Sequence, residues 1–303
     1  MVIDLPDNIA LDPIQDERLA VRQIQLSMLR IDAIDPEISG NKWFKLRYNI
    51  EAAVGAGADT LLTFGGAYSN HLAATAAAAQ KAGLKAVGIV RGHHAQQQLT
   101  PTLRQCKSYG MALSFISRES YKEKRDEGFV AALKNEYPNA WIVPEGGDNE
   151  QGLLGAKDIA AYLPEDADIA TVAIGTGTTF CGIANGLPED KKIIGFPAIK
   201  DSDYLKGIFA EKIPPSVNWH LEQAYHFGGF AKKNEALITF VNQFYLQHHI
   251  PLDHVYTAKM MYGIFDMVQQ EKLPEKTKMV AIHTGGLQGN TSIKNKLVFP
   301  VCG

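Results

Sequence analysis

The stretch TLLTFGGAYSNHLAATAAAAQKAG, Thr60 to Gly83, reads as a short apolar strand, a glycine turn and a helix. Ser69 can accept a backbone N–H from the next turn and so open the helix. The alanines propagate it, and Gly83 can end it in a left-handed conformation. A strand followed at once by a helix of this kind favours a parallel sheet with helices on its faces.

The same alternation continues on both sides. Upstream, Lys42 to about Ala56 reads as a helix with Trp43, Leu46, Ile50 and Ala53 on one side. Before it, ERLAVRQIQLSMLRIDAI offers two short alternating runs, Ala20–Gln25 and Leu26–Ile31, expected as a hairpin or irregular edge strands. Downstream come a strand in AVGIVRG, a helix opened by Pro101, a strand over Ala112–Ile116, a charged helix near Lys122–Asn135 and a strand at WIVP. PEGGDNEQGLLG, from Pro144, is rich in turn formers and is the expected domain crossing. Beyond it lie a helix over 151–162, strands in DIATVAIG and KKIIGFPAI, helices over Glu235–His248 and Val255–Gln269, and a last strand in KMVAIHTGG. The expected fold is α/β, with two open, mainly parallel twisted sheets covered by helices. Residues 1–42 with 151–303 would form a large domain and 43–150 a small one.

The 303 residues, 46% apolar, suffice for one or two cores. Thirty basic and 33 acidic side chains give a net charge of -3 without long runs of either sign, which offers nothing to a nucleic acid or an anionic membrane. The start, MVIDLPDNIALDP, has acids and prolines where a secretory signal has basic and then apolar residues, and no apolar stretch reaches about 18 residues. A cytoplasmic protein is expected. Cys106, Cys181 and Cys302 are scattered and lack CxxC spacing, so neither a disulfide framework nor a thiolate metal site is expected. The adjacent His93 and His94 lack partners at ligand spacing, and no metal is expected there either.

Chemistry concentrates where strands run out into polar or glycine-rich turns. GTGTTFCG, Gly175–Gly182, combines glycines, threonine hydroxyls and a helix start, a combination that suits a phosphate or serves as an ordinary tight turn. It is neither a nucleotide P-loop nor GxGxxG, because Phe180 stands where the third glycine belongs. Ser69 either simply caps its helix or, with the first free amides, receives a small carboxylate. TGGLQGN, Thr284–Asn290, is a strand exit or a cofactor-facing loop. Parallel sheets bind ligands beyond the carboxyl ends of their strands, so the three turns can share one cleft.

SGNKWFKL, from Ser39, places Lys42 and Lys45 one turn apart among aromatic and apolar residues. Either lysine could snorkel to water. Desolvated in the cleft, however, a lysine loses affinity for its proton and can form an imine with an aldehyde. An aldehyde that also bears a phosphate accounts for both the amine and the Gly175 turn, which points to pyridoxal 5'-phosphate.

SGNKWFKL, GGAYSNHLAATA, PEGG with NEQGLLGAKDIA, GTGTTFCG, VYTAKMMYGI and HTGG together resemble, in order, the family of 1-aminocyclopropane-1-carboxylate deaminase and D-cysteine desulfhydrase. The resemblance covers about residues 12 to 295. It implies the tryptophan synthase β-like arrangement called fold type II, with pyridoxal phosphate as cofactor, a small amino acid as substrate and a homodimer. By the same resemblance Lys42 would carry the cofactor, Lys45 would lie nearer its phosphate, and Asn70 would bond the ring hydroxyl. Ser69 and His71 would face the substrate carboxylate, and Gly175, Thr176, Gly177, Thr178 and Thr179 would surround the phosphate. Tyr256 would lie beside the ring and assist proton transfer, while Thr257 would face the ring nitrogen.

Two positions bear on the substrate. Ring-opening deaminases of the family carry Glu where Thr257 stands. A threonine hydroxyl would leave the ring nitrogen unprotonated and favour β-elimination, which puts D-cysteine, giving pyruvate, sulfide and ammonia, ahead of 1-aminocyclopropane-1-carboxylate. Phe230 stands where relatives place a second tyrosine, so a phenol is lost from the substrate side unless Tyr225 or His226 turns inward. A phosphate- or amino-acid-binding protein without catalysis is the reading from another class.

Overall fold

The computed structural model describes residues 4–301; Cys302 lies outside them. Among these residues ten strands form two sheets. The larger runs in the order β1 (Leu11–Ile14), β2 (Gln25–Leu29), β10 (Lys278–Ile282), β7 (Ile169–Ile174), β8 (Lys192–Pro197), β9 (Asn218–Leu221). The smaller runs β5 (Ala112–Ile116), β4 (Lys85–Arg91), β3 (Thr60–Gly65), β6 (Ala140–Val143). All pairings are parallel except β1 with β2.

The strands lack polar alternation because both faces of each sheet are covered. In β7, Ile169 and Ala173 join one core while Ala170, Val172 and Ile174 join another. β10 splits likewise, Met279 and Ala281 against Val280 and Ile282. One of these cores is built on helices Glu235–His248 and Thr257–Gln269, through Leu237, Val241, Phe244, Met261, Ile264 and Phe265. In the smaller sheet Leu61 and Val90 face the alanine-rich helix Asn70–Ala82, and Leu62, Phe64, Val87 and Ile89 face Tyr121 and Leu133. Every residue from Leu72 to Ala79 is buried, since small side chains let neighbouring helices approach closely.

One expectation fails at the amino end. Ala20–Gln25 is not a strand; Glu17–Val21 is a helix whose first turn is capped by the Asp16 carboxylate, itself held by Arg18 at 2.7 Å. β2 finds its antiparallel partner in Leu11–Ile14 instead. The charged helix is shorter than its composition suggests, Glu127–Glu136, because Asp126 caps it by accepting the Phe129 N–H. No helix among the described residues is long and apolar enough to cross a membrane.

Candidate active site

The carboxyl ends of β3, β4, β7 and β10 and the start of helix Asn41–Gly55 surround a cleft of about 780 Å³. The Lys42 helix is fixed by Gly40, whose φ is +69° and whose backbone lies so close to β10 that a Cβ would fall 2.0 Å from the Thr284 carbonyl oxygen. Only glycine meets both conditions. The Asn41 N–H then donates to that carbonyl at 3.3 Å.

Lys42 lines the cleft, and its Nζ donates to Asn41 Oδ1 at 3.0 Å. Asn41 Nδ2 in turn donates to Thr179 Oγ1 at 2.7 Å, so one amide joins the amine to the Gly175 turn. Asn41 is a site residue that the sequence reading overlooked, although it stands between the glycine and lysine of the GNK motif. Burial pushes the Lys42 amine down to about 8, and the Asp253 carboxylate opposes that shift. Lys45 is buried at 2% exposure and also lines the cleft; burial, and then the charge of Lys42, hold its amine well below the ordinary lysine value.

The Gly175–Thr179 turn leaves β7 and runs into helix Thr178–Gly186. Gly177 has φ +94°, and a Cβ there would meet the Phe209 ring at 2.5 Å; at Gly175 it would meet Tyr256 at 3.2 Å. The backbone is therefore bare where an anion must approach, and the first N–H groups of the helix are open. The three threonines are used differently. Thr176 is exposed to the cleft. Thr178 donates to Asp148 Oδ1 at 2.7 Å, and Thr179 accepts from Asn41. Burial would raise the Asp148 carboxyl, but the Thr178 hydrogen bond, then Lys212 at 3.7 Å and Arg125 at 2.5 Å, hold it below the usual range.

Across the cleft Ser69 caps helix Asn70–Ala82 by accepting the Leu72 N–H at 3.3 Å. Among the described residues the buried amide oxygen of Asn70 and the buried Nδ1 of His71 have no hydrogen-bond partner. His71 Nε2 lies 2.8 Å from Thr63 Oγ1, whose proton goes to the Val143 carbonyl. Burial first, then Lys42 and Lys45, push the imidazole well below its usual value, so the ring is neutral. Orphaned buried polar atoms cost free energy unless a ligand meets them. With the bare glycine turn and the depressed amine, they fit a small molecule bearing a phosphate, a polar ring substituent and an aldehyde.

Tyr256 precedes helix Thr257–Gln269 and packs its ring on Gly175; Phe230 meets it edge-on at 6.1 Å between ring centroids. Burial, then Asp253, raise the Tyr256 phenol, which stays protonated. Phe230 lines the cleft and is 57% exposed. Neither residue that could replace its missing hydroxyl does so: Tyr225 donates to Asp266 Oδ2 at 2.7 Å, and His226 Nδ1 accepts the Gly228 N–H.

Thr257 opens helix Thr257–Gln269. It is fully buried and its side chain does not line the cleft. Its hydroxyl accepts the Asp253 N–H at 3.0 Å and donates toward the Asp253 carboxylate at 3.3 Å, closing the turn that starts the helix. Thr284, two residues beyond β10 in HTGG, does line the cleft. Cys106 and Cys181 are buried, and burial pushes both thiols up to about 12, where they are inert at neutral pH.

The family described as pyridoxal-phosphate dependent enzyme matches residues 32–285 of the chain. A Pyrococcus horikoshii protein that carries 1-aminocyclopropane-1-carboxylate deaminase as a provisional name is 30% identical over 86% of this chain and 84% of its own. The bifunctional D-cysteine desulfhydrase/1-aminocyclopropane-1-carboxylate deaminase of Arabidopsis thaliana is 31% identical over 88% of this chain and 73% of its own. A crystal structure described as an ACC deaminase homologue superposes with a TM-score of 0.83 at 26% identity, covering 97% of this chain and 94% of that one. The depressed amine, the bare Gly175 turn and these matches agree: the chain belongs to the pyridoxal phosphate-dependent enzymes of fold type II, related to 1-aminocyclopropane-1-carboxylate deaminase and D-cysteine desulfhydrase.

Proposed function

We propose that the chain deaminates a small α-amino acid and that Lys42 is both the point of cofactor attachment and the proton-transfer group. The observation that carries this reading is an amine pushed down to about 8, lining the same cleft as the bare Gly175 turn and tied to it through Asn41. When bound, pyridoxal phosphate supplies the electron sink that lets an α-amino acid lose its amino group.

The chain's own residues bind, orient and move protons. The first amides of helix Thr178–Gly186 and Thr176 would hold the phosphate, whose charge would in turn favour the protonated form of the nearby Lys45 against the effect of burial. Asn70 would satisfy its orphaned amide oxygen on the polar edge of the ring. Ser69 and the first turn of its helix would orient the substrate carboxylate, with neutral His71 behind them. Lys42 Nζ, largely neutral above its depressed value, can accept and return the α proton of an amino acid such as D-cysteine; 1-aminocyclopropane-1-carboxylate has no α proton, and there the same amine would take a proton from a ring methylene. A proton carrier with that affinity is well matched to neutral pH. The protonated Tyr256 phenol can donate, and its ring would pack beside the cofactor. Thr284, which lines the cleft, would offer a hydroxyl to the ring nitrogen in place of Thr257.

The preference for D-cysteine rested on Thr257, whose hydroxyl is committed to Asp253. With that support gone the names of the relatives order the substrates, and 1-aminocyclopropane-1-carboxylate precedes D-cysteine. The test measures keto acid and ammonia from these two, L-cysteine, β-chloro-D-alanine, D-serine and both enantiomers of O-phosphoserine, which pairs an anionic substituent with a leaving group, using purified holoenzyme. Release from none of them overturns the reaction class; D-cysteine turnover above ring opening reverses the order. Lys42→Ala should abolish turnover and borohydride fixation of the cofactor. If Lys45→Ala abolishes fixation instead, the assignment is wrong.

A further inference from the structure

Both substrates above carry a single carboxylate, yet the wall around Ser69 offers more positive charge than one carboxylate needs. Arg91 is the last residue of β4 and lines the cleft, well exposed. β3 and β4 run in parallel register with Gly65 opposite Val90, so Arg91 emerges beside the Gly66–Ser69 turn. A guanidinium nitrogen lies 3.5 Å from where a Gly66 Cβ would stand, so the side chain reaches across the turn that presents Ser69.

The guanidinium has five donors and makes no hydrogen bond or ion pair within the described residues. Its one fixed contact is the Tyr121 ring, with Cζ 5.6 Å from the centroid. Lys124 shares that ring, its Nζ at 4.9 Å. Glu145, the carboxylate lining this part of the cleft, lies 3.5 Å from Lys124 and is not paired with Arg91. The three charges sum to one positive, and it sits on Arg91. A guanidinium held over an aromatic face with its N–H groups unpaired is free to receive a carboxylate with two parallel hydrogen bonds. On the opposite wall Phe230 offers no competing polar group.

We propose that Arg91 determines specificity, receiving a second acidic group on the substrate side chain, so that the preferred substrate is a small amino acid with an anionic substituent. The inference rests on the reaction class proposed above and adds to it the charge of the side chain.

The test uses holoenzyme and amino acids without a leaving group, so that binding is read without turnover. Calorimetry compares aspartate with asparagine, glutamate with glutamine, and alanine, each in both enantiomers. Within at least one enantiomeric series the acid should bind roughly tenfold or more tightly than its amide. Arg91→Gln should bring that ratio near one, and Arg91→Lys, which keeps the charge without the fork, should fall between. Equal binding of acid and amide overturns the proposal. So does an Arg91→Gln loss shared equally by acid, amide and alanine, which would make Arg91 a partner of the α-carboxylate. Failure of the reaction class is seen separately, as absence of keto acid from every substrate screened above.

Discussion

At the scale of single residues, the site depends on how burial sets protonation. Lys42 must be neutral to attack an aldehyde, and burial brings its amine down to about 8. Below that value the neutral fraction falls about tenfold per pH unit. Cofactor capture by the apoprotein, followed by its visible absorption, should therefore accelerate with pH and level off above about 8. The two threonines separate structure from chemistry. Thr257→Val leaves the buried Asp253 N–H without its acceptor and should cost about 1–3 kcal/mol in denaturant unfolding. It should leave the holoenzyme spectrum as it was. Thr284→Val should do the reverse, shifting the spectrum with little loss of stability. The cleft lysine and the bare turn were legible in the sequence, and their combination, rather than either alone, pointed to one cleft. The bonding of Thr257 to Asp253 was not legible: whether a helix-opening hydroxyl faces a ligand or its own turn depends on where Asp253 lies, which the sequence order does not reveal.

At the scale of elements, Ser69 and the Gly175 turn sit where a strand gives way to a helix, and these junctions were the most readable part of the chain. Ser69 and Gly83 act by short-range hydrogen bonds or local backbone freedom, so their effect is visible locally. The short edge strands were less readable, since β1 and β9 have only four residues each and depend on neighbours for pairing. The loop carrying Phe230 has a hidden anchor. Lys259 is 2% exposed and donates to the carbonyls of Gly229 at 2.7 Å, His226 at 2.9 Å and Ala198 at 3.2 Å. Three donors meet three acceptors, and the ammonium clamps a loop that includes left-handed backbone at Phe227, Gly228, Gly229 and Ala231. Lys259→Met strands those carbonyls. It should lower stability by about 3 kcal/mol or more and expose the loop to limited proteolysis around Gly228.

At the scale of the whole molecule, the cleft takes its walls from both sheets, Gly66–His71 and Arg91 from the smaller and Gly175–Thr179 and Thr284–Gly286 from the larger. A ligand that touches both walls adds its binding free energy to the cohesion of the fold. Pyridoxal phosphate at a hundredfold excess over its dissociation constant should raise unfolding free energy by about 2.7 kcal/mol, seen as a higher melting temperature. Lys42→Ala should lose part of that gain.

The strand order of the larger sheet bears on how the molecule is made. β10 lies between β2 and β7, with Lys278 opposite Gln25. During synthesis the β2 ribbon leaves the ribosome early, but its inner edge has no mate until nearly the whole polypeptide has been translated. The strands of the smaller sheet all lie within residues 60–143 and can close long before that. A nascent chain with one finished half and one gaping half needs shelter from aggregation, and its last step is the insertion of a strand into a waiting slot.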